Sequence, residues 1–128
     1  MATMKKAITA YSTQSGVNNG WHLIALPLTG SIDVDSVGNM IGGEYDLYAY
    51  DESTAYWKNS KNTENSFTAL EATKGYLYAH GEDVTLEFSG TLQNSSATIS
   101  VPLSYTTVAH LSGFNLVGNP FPCNAYLL

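Results

Sequence analysis

Three histidines, one cysteine, several paired acids and a run of tyrosines are the side chains of this sequence with chemistry to offer. His22, His80 and His110 are scattered. A serine–histidine–carboxylate triad needs a nucleophile held at a sharp turn. No Gly-x-Ser-x-Gly elbow occurs, so the histidines point to no hydrolase. Cys123, in "PFPCNAY", has no second cysteine for an internal disulfide, and a lone cysteine most often fills a core as a small apolar group. No Cys/His spacing matches a zinc site, and nothing points to a cofactor. The acids come in pairs: Asp33 with Asp35, Glu44 with Asp46, Asp51 with Glu52, Glu82 with Asp83. Calcium takes six to eight oxygens from flexible loops. "DVDSVGN" supplies alternating carboxylates and a glycine but lacks the terminal glutamate of a twelve-residue loop. Asp33 and Asp35 are therefore weak metal candidates, and no tight metal site is expected.

The aromatics carry more. There are nine tyrosines, two tryptophans and four phenylalanines. Each tyrosine or tryptophan offers a flat apolar face with a polar tip, which suits stacking on a sugar ring. In "YDLYAYD", Tyr45 to Asp51, strand alternation puts Asp46, Tyr48 and Tyr50 on one face. With Tyr56 and Trp57 they form the candidate ligand-binding set. The competing reading is that tyrosines simply favour strands and cross-strand pairs.

The elements that position these residues read as strands. "DVTLEFS" alternates Val84, Leu86 and Phe88 with polar residues, and "ATISVPLS" alternates Ile99, Val101 and Leu103 likewise. Pro102 marks the second as an edge strand or a bulge. "KGYLYAH", from Lys74 to His80, is a third. Turn clusters such as "GVNNG" (16–20), "GNMIGG" (38–43), "KNSKNTENS" (58–66) and "QNSS" (93–96) separate them. That spacing predicts a sandwich of mostly antiparallel sheets or a partly open barrel. Helix is confined to single turns, one in "DVDSVGNMI" and one in "TALEAT". The core is expected from Trp21, Leu23, Leu86, Phe88, Ile99, Val101, Phe114 and Leu116.

One phrase is written twice. "GWHLIALPL" from Gly20 and "GFNLVGNPF" from Gly113 share glycine, leucine and proline at an offset of 93 residues. Each reads as a core strand that opens on an aromatic and ends at proline, which cannot extend a ladder. Two such strands would lie side by side or in facing sheets and close the fold. Ala125 to Leu128 also have strand character, and an apolar strand end must pair or stay sticky. Tyr126 to Leu128 are therefore expected to dock into the sheet.

Length and charge bound the rest. The 128 residues suit one domain, with 44% hydrophobic and only 12% charged residues. Residues 1–19 read as an N-terminal segment, a methionine-rich start followed by a first strand, and residues 20–128 as a single β module. The net charge is −6, and all five basic residues are lysine. Without arginine the chain lacks the usual fork for phosphate, which argues against nucleic acid and against anionic membrane surfaces. No apolar run is long enough to span a membrane, and the N-terminus lacks the apolar stretch of a signal peptide.

"GWHLIALPL", "YDLYAYDES", "KGYLYAH", "LEFSGTL", "VPLSY" and "GFNLVGNPFPCNAYL", in that order, resemble a module of large secreted and surface proteins of Bacteroidota. That family's commonest phrase is Gly-Trp-Asn-Leu-Val-Gly-Asn-Pro. The resemblance runs from about Gly20 to Leu128, with His22 and Ala25–Leu26 departing from it. It implies a non-catalytic structural or adhesion module, secreted or at the cell surface, with neighbouring domains of a larger protein as partners. It also implies that "DSV" at Asp35–Val37 matches a short O-glycan acceptor centred on Ser36. The alternative is a module that binds carbohydrate, or a host protein, through its tyrosine-rich face.

Overall fold

The computed structural model describes residues 1–12, 19–107 and 110–127. The fold is all-β, with 39% of the described residues in strands or bridges and 5% in helical turns. Among the described residues, eight strands make three antiparallel sheets. In chain order they are β1 (Ala2–Ile8), β2 (His22–Ala25), β3 (Ser31–Asp33), β4 (Tyr45–Asp51), β5 (Tyr56–Asn59), β6 (Ala69–Glu71), β7 (Gly75–His80) and β8 (Val84–Gly90). The largest sheet has the order β2-β7-β4-β5, while β1 pairs with β8 and β3 with β6.

Period-two patterning explains the layering. In β8, Leu86 and Phe88 are buried while Thr85 and Ser89 are exposed, the phase expected from the sequence. In β4, Leu47 is fully buried. One cluster joins Ile24, Leu26, Leu28, Leu47, Tyr76 and Tyr78 from the large sheet and its extension to Ile8, Leu86 and Phe88 from the β1–β8 pair. Val34, Val37, Met40 and Leu70 close it, giving a sandwich-like core. Tyr78 is fully buried and donates its hydroxyl to the Met40 carbonyl at 2.7 Å, so its polar tip has a partner. β1 runs in register with β8 from Ala2↔Gly90 to Ile8↔Val84, which ties the N-terminal segment into the same core.

Several expectations are corrected. The turn in "DVDSVGNMI" is a 3-10 helix at Val34–Ser36, but "TALEAT" holds β6 rather than a turn of helix, and the second 3-10 helix lies at Thr63–Asn65. "ATISVPLS" forms no strand: Ile99 and Val101 are only half-buried and Leu103 is exposed. Trp21, Leu23 and Phe114 are exposed, not core, and Leu116 is half-buried. The tail does not dock. Tyr126 and Leu127 are almost fully exposed and outside any strand, while Leu128 lies outside the described residues. So does most of the "GVNNG" turn cluster.

The repeated phrase has a structural meaning, though not as two core strands. Gly20 (φ +87°) and Gly113 (φ +81°) both take the left-handed backbone that favours glycine, and both precede an exposed aromatic. The first phrase then forms β2, with Ala25 opposite Gly75. The second makes only a bridge, Val117 opposite Lys74, closed by Gly75 N–H to Leu116 O (3.1 Å) and Gly118 N–H to Thr73 O (2.8 Å). The two phrases meet at equivalent positions: a Cβ on Gly118 would lie 2.6 Å from the Ala25 Cβ. Asn119 then folds the chain back, accepting from Phe121 N–H at 3.0 Å and donating to Cys123 O at 2.7 Å.

Candidate ligand-binding face

Alternation in β4 sends Leu47 inward and Asp46, Tyr48 and Tyr50 to the other side. Directly paired residues of neighbouring strands share a face. Tyr48 sits opposite Leu77 on one side and Asn59 on the other, and Leu77 sits opposite Leu23. Tyr50 sits opposite Trp57. Continuing the β2–β7 register by one residue brings Trp21 beside Ala79, which pairs with Asp46. Ala79 is small, so the Trp21 ring reaches across it to Tyr48.

The rings meet edge to face. Trp21 and Tyr48 have centroids 5.9 Å apart at 60°, and Tyr50 and Trp57 5.3 Å apart at 60°. This geometry suits the ring quadrupoles. The result is a diagonal aromatic stripe, Trp21–Tyr48–Tyr50–Trp57, on the side of the sheet away from the core. Trp21 is 42% exposed, Trp57 46% and Leu23 65%. Of the five sequence candidates, Asp46, Tyr48, Tyr50 and Trp57 share this face. Tyr56 does not: it pairs with Asp51 and alternates away from Trp57.

Polar side chains fix the stripe's flanks. Asp46 accepts from Asn59 Nδ2 at 3.0 Å and lies 3.4 Å from Lys61 Nζ. On the opposite face of the same strands, Asp51 holds Lys58 at 2.7 Å and accepts from Ser53 N–H and Oγ. The Lys58 ammonium, aided by Ser53, pulls the Asp51 carboxyl down to about 2.

One end of the face opens into a recess, and a second recess lies on the other side of β4. At the Trp21 end a cavity of about 510 Å³ is walled by Trp21, Tyr11, Tyr45, Glu44, Asp46 and Lys61. On the other face of β4 a cleft of about 650 Å³ runs between Ala49, Asp51, Phe67, Tyr76 and Leu116. Its rim is tied down by Glu52, whose buried carboxylate accepts from Thr106 N–H (2.7 Å), Gly113 N–H (2.9 Å), Thr106 Oγ1 (2.9 Å) and Ser104 Oγ (3.0 Å). The Gly113 N–H leads these donors in holding the Glu52 carboxyl below its usual range, against the opposing effect of burial. Thr73, on the same rim, is buried with φ +74°, a costly backbone for a β-branched residue.

The remaining candidates are engaged elsewhere or stand apart. His22 Nε2 donates to Thr9 O at 3.1 Å. Buried His80 accepts from Glu82 N–H through Nδ1 (2.9 Å) and donates from Nε2 to Gly42 O (3.0 Å). His110 is exposed. Asp33, Asp35 and Ser36 are exposed around the first 3-10 turn, and no group of three or more potential metal ligands occurs among the described residues. Cys123 is exposed rather than buried, because the turn held by Asn119 lies outside the core. No helix among the described residues is long and apolar enough to cross a membrane.

Trp21 and Leu23 are the face residues that sequence reasoning placed elsewhere. They alternate with Ile24, Leu26 and Leu28, the buried phase of the same segment, but both phases are apolar in the sequence. Comparison with protein-family models, curated proteins and solved structures finds no match for this chain.

Proposed function

We propose that this chain is a non-catalytic binding module of a secreted or cell-surface protein, and that it recognises an extended glycan along the aromatic face of its four-stranded sheet. The observation that carries this reading is the two edge-to-face pairs on one sheet face, Trp21–Tyr48 and Tyr50–Trp57, each with its tryptophan exposed and its tyrosine half-buried. A monomeric domain rarely leaves such a contiguous patch uncovered without a use for it. Aromatic rings stack on the apolar C–H faces of sugars, and Asp46 and Asn59 beside them can bond hydroxyls. Four residues of strand rise and three strand spacings give the stripe a diagonal of roughly 20 Å, the scale of a short oligosaccharide. The non-catalytic part is supported by how the polar groups are engaged. His80 bonds backbone through both ring nitrogens, and the Glu52 oxygens hold four protein donors.

A second reading rests on Leu23. An aliphatic side chain 65% exposed on the edge strand β2, two residues from Trp21, stacks poorly on sugar and suits a protein surface. On that reading the face is an adhesion or inter-domain contact, with a host protein or a neighbouring domain as occupant.

A glycan array with the purified protein separates the two. The glycan reading expects a defined set of extended ligands, with binding weakened about ten-fold or more by Trp57→Ala. Trp57 lies on an edge strand and is nearly half exposed, so the variant should keep its melting curve. A folded protein that leaves the array silent would reject glycan recognition and leave the protein-contact reading.

A further inference from the structure

The cavity at the Trp21 end differs chemically from the rest of the stripe. Two carboxylates, Glu44 and Asp46, line it with the rings of Trp21 and Tyr45. The chain's own Lys61 ammonium already sits there, 4.4 Å above the Tyr45 ring centroid and 3.4 Å from Asp46. An ammonium between an aromatic face and a carboxylate is a cation–π arrangement. Lys61 is 44% exposed, so its long, flexible stem can withdraw into water. Tyr11 donates to Glu44 Oε2 at 2.6 Å and holds that carboxylate at the wall. Lys61 is thus the single cation against two carboxylates in this lining.

We propose that this cavity is a subsite for a sugar residue bearing a free, protonated amine, a hexosamine, seated in place of the Lys61 ammonium. The proposal rests on the glycan reading of the face and names the class of sugar at one end of it. An N-acetylated residue of the same shape carries no charge and would leave the two carboxylates with Lys61 alone. The pyranose body would rest on Trp21, and the chain would continue over Tyr48 and Tyr50.

The test compares three tetramers by tryptophan fluorescence and calorimetry: β-1,4-linked glucosamine, its fully N-acetylated form, and the β-1,4-linked glucose tetramer. The expected result is that the glucosamine tetramer binds about ten-fold tighter than the other two, with the ratio falling at high salt. Asp46→Asn keeps an oxygen for Asn59 but removes the charge, and should bring the ratio close to one. Lys61→Met vacates the seat and should raise glucosamine affinity by about three-fold. Equal binding of all three tetramers would overturn the subsite and leave the glycan reading standing. Binding of none would overturn the subsite, and the glycan array would then decide the glycan reading. A glucosamine preference unaffected by Asp46→Asn, or reduced by Lys61→Met, would place the amine elsewhere and overturn the proposal.

Discussion

Replacing Gly118 by alanine separates two descriptions of the second phrase by the sign of the effect. Gly118 does not take a left-handed backbone, so alanine meets no conformational penalty there. In open space the change would lower the entropy of the unfolded chain and stabilise the protein by about 0.4–1 kcal/mol. The structure predicts the opposite. The added methyl would lie 2.6 Å from the Ala25 Cβ and would also collide with the Lys74 carbonyl, where ordinary contacts begin at 3.4 Å. Neither neighbour is the end of a flexible side chain. Moving residue 118 away stretches its N–H bond to Thr73 O and disturbs the adjacent Gly75–Leu116 bond. Overpacking of this kind costs about 1–3 kcal/mol, which for a chain of this length lowers the melting temperature by roughly 4–12 °C. Thermal and urea unfolding by circular dichroism read both quantities. Ala25→Gly removes one of the two obstacles, so the double variant should be less destabilised than the sum of the singles. A Gly118→Ala protein as stable as the parent, or more so, would refute the meeting of the two phrases beside β7.

Two further perturbations bear on the acidic pair and on the tail. Asp51 and Glu52 both titrate below their unfolded-state values when folded. Their contribution is therefore complete above about pH 4.3 and is lost as pH falls through the lowered values, about 2 for Asp51. Urea midpoints from pH 6 to 2 should fall on the acid side, and Glu52→Gln, less stable at pH 6, should narrow its gap to the parent as the pH falls. A constant gap across that range would show that the Glu52 charge does not hold Thr106 and Gly113. Deleting residues 125–128 should leave the melting curve within about 0.5 kcal/mol, because Ala125 to Leu127 are exposed and in no strand. A marked drop or aggregation would mean that the tail docks after all.

Strands with one polar face were legible from sequence. β8 writes Thr85, Glu87 and Ser89 between Val84, Leu86 and Phe88, so only one phase can face the core, and that phase is the observed one. β4 was legible for the same reason, and it carried Asp46, Tyr48 and Tyr50 to a common face. "ATISVPLS" has the same alternation and forms no strand. Alternation says which side of a strand would be buried but not whether a partner with free ladder positions is at hand, and Pro102 cannot donate to one. The buried role of Glu52 was not legible either, since its four donors come from residues more than fifty positions away.

The first phrase failed for a different reason, and the reason bears on function. "WHLIALPL" is apolar in both phases: Trp21 and Leu23 in one, Ile24, Leu26 and Leu28 in the other. Period-two reasoning needs a polar face to choose a phase, and here there is none. In a parallel sheet covered on both sides, such a run means burial on both sides. Here the sheet is antiparallel, and Leu86 and Phe88 meet its inner side only. A strand apolar on both faces, in a sheet with one layer against it, must leave one apolar face to the surroundings. The left-handed Gly20 just before it sets the angle at which Trp21 leaves the turn, and Ala79 leaves room for the ring to reach Tyr48. The ambiguity that misplaced Trp21 and Leu23 is therefore the trace that an exposed apolar face leaves in the sequence. Tyr48 and Tyr50, which also lie on the side of β4 away from the buried Leu47, extend that face across the sheet to Trp57.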